Sequence, residues 1–88
     1  MKYKITVESL DSDKTITFET ENHDNMFRIF EAGGANPAFE NDERLSLVLG
    51  LKLFSEIMLK RKDFAPFEVL RPVFGNFMKA FKEEMKPR

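Results

Sequence analysis

The sequence predicts a small α+β domain, an N-terminal β-hairpin followed by three helices in the order β-β-α-α-α. Three observations predict it. Residues 3–9 and 15–19 alternate apolar with polar side chains. Residues 42–62 carry apolar side chains at helical spacing around almost the whole circumference. Residues 72–85 collect phenylalanine and methionine on one stripe. At 88 residues the chain is one domain, near the lower limit of what folds without staples. Ten phenylalanines and 42% hydrophobic residues give so short a chain the means to fill a core.

The hairpin comes first. Tyr3, Ile5 and Val7 fall on one face and Lys4, Thr6 and Glu8 on the other. After Asp11-Ser12-Asp13-Lys14, Ile16 and Phe18 alternate with Thr15, Thr17 and Glu19. A four-residue loop at 11–14 pairs Val7 with Phe18 and Ser9 with Ile16. The same alignment sets Lys4 opposite Glu21 and Thr6 opposite Glu19. One face is then apolar and the other polar, a sorting that a one-residue slip would destroy.

Asn22, Asp24 and Asn25 are good helix caps, and Met26, Phe27, Ile29 and Phe30 follow at helical spacing, which predicts a short helix over 24–32. Gly33-Gly34 supplies its stop and Asn36-Pro37 continues as a loop. Asn41 or Asp42 caps the central helix, predicted over about 42–62. Leu47, Leu51, Phe54 and Met58 lie on one side of it, and Leu45, Leu49, Leu53 and Ile57 on another. Lys52, Glu56 and Lys60, spaced four apart, form its one charged line, so this helix is expected to be covered on most sides. Ser46 and Gly50 make a small-residue notch, as if to admit another element such as the one bearing Gly75. Pro72 predicts a break or kink near Arg71. The last helix, over about 72–85, aligns Val73, Phe74, Phe77, Met78, Phe81 and Met85.

Several chemistries are excluded by residue type. Without cysteine there is no disulfide, thiolate metal site or thiol nucleophile. One histidine, His23, does not make an ordinary zinc, iron or copper site. Asp11, Asp13 and Asp24 lack the glycine and terminal glutamate of a calcium loop. Ser9, Ser12, Ser46 and Ser55 stand outside any glycine-framed elbow, and Gly33-Gly34 follows a helix rather than a strand, so no phosphate cradle forms. No catalytic, cofactor-binding or metal-ligating residue is therefore expected.

Charge is unevenly distributed. Residues 1–50 hold five Lys/Arg and ten Asp/Glu, while residues 51–88 hold nine and five. Lys60-Arg61-Lys62, Arg71, Lys79, Lys82, Lys86 and Arg88 make the second half basic, yet the isoelectric point near 5.8 and the Phe/Met stripe of the last helix speak against nucleic acid. The densest apolar segment, Leu45 to Leu59, contains Lys52 and Glu56 and is not a membrane span. The opening residues lack a signal-peptide run, and a cytoplasmic protein is expected.

The stretches Gly50-Leu51-Lys52-Leu53-Phe54, Met58-Leu59-Lys60 and Leu70-Arg71-Pro72-Val73-Phe74-Gly75, running on to Phe77-Met78-Lys79, resemble a family of short bacterial proteins known as a domain of unknown function. The opening Met1 to Val7 and Asn22-His23-Asp24 fit it as well. The resemblance spans essentially the whole chain. It implies a small bacterial α+β protein and brings no activity, cofactor or catalytic residue.

The expectation that follows is a protein-interaction module without catalytic activity, self-associating as a homodimer. A lone hairpin leaves both strand edges unpaired, and the central helix has more apolar circumference than its neighbours cover. The expected contact is Leu47, Leu51, Phe54 and Met58, or the strand edge from Lys4 to Glu8. The alternative is a small-molecule-binding protein or small enzyme using Arg71 and His23 in an apolar cleft.

Overall fold

Alternating β-branched residues place one strand at Lys2–Glu8 (β1) and a second at Thr15–Glu21 (β2), paired antiparallel in the computed structural model, which describes residues 1–32 and 39–84. Val7 stands opposite Ile16 and Lys4 opposite Glu19, two residues away from the predicted alignment. The shift preserves parity, so Tyr3, Ile5, Val7, Ile16 and Phe18 still share one face. The loop is closed by Ser9 N–H donating to the Lys14 carbonyl at 3.0 Å. Within it the hydroxyls of Ser9 and Ser12 accept from the amides of Asp11 and Lys14.

The order β-β-α-α-α holds. The first helix, α1, is Met26–Ala32, capped by the Asn25 side chain, which accepts from the amides of Phe27 and Arg28 at 3.2 and 3.4 Å. The central helix, α2, is Asn41–Lys60. Its cap is Glu40 rather than Asn41 or Asp42: the Glu40 N–H donates to the Glu43 carboxylate at 3.1 Å, one half of a capping box. The Gly33-Gly34 stop and the Asn36-Pro37 loop lie outside the described residues, as do Met85, Lys86 and Arg88.

The third helix, α3, is Ala65–Glu84 and runs without interruption through Pro72. Of the break or kink predicted near Arg71, the break is therefore corrected. Pro72 is exposed, so its ring and the carbonyl of Glu68 that it leaves without an amide donor both face solvent. Meanwhile the inward positions Phe67, Leu70, Phe74, Met78 and Phe81 keep their phase across it, all of them half-buried.

The core is small and half polar. Met26, Val48 and Met58 are its buried apolar residues, and Asn22, Arg44 and Glu56 are buried beside them. The radius of gyration is 14.8 Å, against roughly 12 Å for a compact chain of this length.

Candidate functional site

Two features stand out, a buried polar junction and an exposed apolar surface. The junction forms where β2 turns into α1 against the middle of α2. Asn22, 1% exposed, donates from Nδ2 to the Lys52 carbonyl at 3.0 Å and accepts at Oδ1 from the Asp24 amide at 2.9 Å. Its backbone exchanges two hydrogen bonds with Met1, at 2.9 and 2.8 Å. The Tyr3 hydroxyl donates to the Asp24 carbonyl at 2.8 Å and accepts from the Met26 amide at 3.0 Å, latching the hairpin to the start of α1.

Charges complete this junction. Lys52 Nζ lies 2.8 Å from Asp24 Oδ2, and the ionised Glu56 accepts from His23 Nδ1 at 2.7 Å. The Lys52 ammonium holds the Asp24 carboxyl below its ordinary range, and the His23 hydrogen bond does the same for Glu56 despite desolvation. Arg44 is buried at the other end of α2, donating to the Phe30 carbonyl at 2.8 Å and to Asn41 Oδ1 at 3.0 Å. Its cation thus meets the last turn of α1, where free carbonyls gather.

Two members of the charged line of α2 belong to its inner side, while Lys60 is exposed. Lys52 and Glu56 point into the junction, and Arg44 and Val48 continue the same four-residue spacing. The leucine-rich flanks are left half-covered. Asn22 reads as a helix cap in the sequence, and Arg44 gives no signal there beyond its place on that line.

The candidate residues separate accordingly. Met58, 2% exposed, is core and not contact surface. Leu47 and Leu51 are half-buried, Leu47 lining an open groove with Phe39, Asp42, Glu43 and Ser46, while Phe54 is 42% exposed. Lys4, Thr6 and Glu8 are exposed on the polar face of a two-stranded sheet. His23 lines a cleft of about 190 Å³ with Met1, Glu21, Asn22, Glu56 and Lys60. Arg71 is not among its walls; its guanidinium donates to the Met58 carbonyl at 3.4 Å. Ligand pockets usually span roughly 300–1,000 Å³. Among the described residues no three His, Asp or Glu side chains gather as metal ligands, and no described helix is long and apolar enough to cross a membrane.

The apolar surface lies on α2 and α3. Six phenylalanines form a continuous ladder, Phe64, Phe67, Phe54, Phe74, Phe77 and Phe81, with successive ring centroids 4.8, 5.8, 6.3, 6.1 and 5.9 Å apart. None of the six is buried. On the side of α3 turned away from Phe67 and Phe74, Ala65, Val69, Val73, Asn76 and Ala80 are all exposed, Val69 at 80% and Val73 at 58%. Glu68, Lys79 and Lys82 sit on a flank of the helix, so this outer face is free of charge from residue 65 to 80. At the opposite end of the chain, Val7, Leu10, Ile16 and Phe18 are exposed at the hairpin tip. Gly50 and Gly75 have nothing within 4 Å of where a Cβ would stand, so the notch at Ser46 and Gly50 does not receive the helix bearing Gly75.

The chain matches, over residues 1–83, a family described as a domain of unknown function with solved structure, DUF3861. A crystal structure of a protein of unknown function from Pectobacterium atrosepticum is similar to it with a TM-score of 0.88 and 28% identity, covering 94% of this chain and 97% of that one. No curated protein matches.

Proposed function

We propose, for a chain that belongs to the DUF3861 family of unknown function, the role of a non-catalytic protein-interaction module that pairs with a second copy of itself. One observation carries this reading. The chain exposes 7028 Å², whereas a compact monomer of 10.3 kDa exposes roughly 5,350 Å². The surplus of about 1,700 Å² is twice the ~800 Å² that each partner contributes to an ordinary stable interface. The aromatic ladder and the outer face of α3 present exposed apolar side chains on that surface, among them Phe54, Phe64, Val69, Val73 and Phe77. A cytoplasmic setting belongs to the same proposal, because a domain without disulfides loses nothing under reducing conditions.

Light scattering coupled to size exclusion, run over a concentration series at low and moderate salt, tests it. Twice the 10.3 kDa chain mass at about 10 μM is expected. The chain mass alone at every concentration up to about 100 μM, weaker than any affinity such an area implies, would overturn self-pairing.

A further inference from the structure

We infer that the second copy docks through α3, whose outer face pairs antiparallel with the same face of its partner across a two-fold axis at the helix midpoint. This rests on the self-pairing proposed above and adds the seam and its direction. Val69, Val73, Asn76 and Ala80 recur at spacings of four, three and four, the spacing of side chains that meet a second helix in a coiled-coil seam. A helix face that simply meets water is mostly charged or polar, whereas this one carries no charge between residues 65 and 80 and is exposed, Val69 at 80% and Val73 at 58%. The α2 side of α3 is already occupied by Phe67 and Phe74, which pack on Phe54 or its neighbours in the ladder. Among the described residues nothing covers the outer face, which leaves it open to the second copy.

The ends of the helix set the direction. Because α3 spans Ala65–Glu84, an axis at its midpoint lays the whole helix against its mate. Val69 then stands opposite Ala80 of the second copy, and Val73 opposite Asn76, each valine meeting a residue no larger than asparagine. The same rotation keeps like flanks together, so Glu68, Lys79 and Lys82 stay on one flank of each copy and leave the seam itself apolar or neutral from residue 69 to 80. Antiparallel alignment also sets the positive end of each helix dipole beside the negative end of its mate.

The chain has no cysteine, so introduced thiols report geometry without interference. Val69→Cys and Ala80→Cys are made singly and together in the full chain, oxidised, and in parallel treated with a short bismaleimide. Within one helix these positions are about 16 Å apart, too far to join, and in the antiparallel pair each single thiol is equally far from its own copy. The double variant is expected to run at twice the chain mass on a denaturing gel, and a mixture of the two singles likewise. Crosslinking of either single variant alone would overturn the antiparallel seam in favour of parallel helices. A dimer by light scattering with no crosslink in any variant would overturn the α3 seam while leaving self-pairing intact. A monomer would overturn both. Val73→Lys adds a reading independent of thiol chemistry: at least tenfold weaker association with an unchanged helical spectrum is expected, and undiminished association would remove Val73 from the seam.

Discussion

The β2–α1–α2 junction and the α3 helix divide the usual roles of polar and apolar residues in opposite ways. Asn22 and Glu56 at the junction, and Arg44 at the other end of α2, are buried and every one is hydrogen-bonded. Along α3, a helix with four phenylalanines and two valines has no buried residue. The N-terminal body is thus held by directional bonds that specify one arrangement, while much of the hydrophobic material remains at the surface. Direction fixes the fold of the single chain, and the non-directional attraction remains available for the pairing proposed above.

Four substitutions break or sharpen that contrast, each followed by urea unfolding. Asn22→Ala has the largest expected effect, a loss of about 2–3 kcal/mol, because it removes two side-chain hydrogen bonds and leaves the Asp24 amide without its acceptor. A loss below about 0.5 kcal/mol would mean the junction is not the lock. Arg44→Met keeps the apolar stem but strips the Phe30 carbonyl and Asn41 of their donors, and about 1–2 kcal/mol is expected.

Glu56→Gln comes next, at about 1 kcal/mol near pH 6, discounted because His23 is largely exposed. The folded Glu56 carboxyl is held below its ordinary value by His23, so its ionised form is the one the fold favours. Its contribution is therefore complete above the ordinary glutamate value of about 4.3 and disappears as pH falls through the lower folded value. The difference between the parent chain and Glu56→Gln should vanish on the acid side; a difference that grows there would reverse the assignment. Gly50→Ala is smallest and opposite in sign. With nothing near the added methyl group, a gain of about 0.5–1 kcal/mol is expected from helix propensity alone. A destabilised variant with a weaker dimer would show instead that the second copy approaches α2 at Gly50.

Element order was legible because each segment carries its own period: alternation in β1 and β2, threefold and fourfold spacing in the helices. The hairpin alignment was not, because two alignments differing by two residues sort the faces equally well. The observed one continues into the Met1–Asn22 backbone pair, and the Asn22 side chain is fixed by α2, a long-range bond that no local pattern reveals. Lys52 and Glu56 misled for a related reason. A charged line between leucine flanks looks like a solvent face until partners at Asp24 and His23, about 30 residues earlier, are folded against it. Pro72 misled because its cost depends on which side of the helix it occupies. The apolar surplus of the chain was readable from composition, but assigning it to the outside of α3 rather than to Met58 required the packing.

Tyr3 is the sole tyrosine in a chain without tryptophan, and its hydroxyl is the latch between hairpin and α1. Ultraviolet emission from the unaltered protein therefore comes chiefly from that one spot, while circular dichroism is dominated by α2 and α3. The molecule carries its own two-channel spectrometer. If the optical signals disperse along the denaturant axis, the latch and the long helices come apart as separate cooperative units; if they superimpose, the hairpin and helices melt as one.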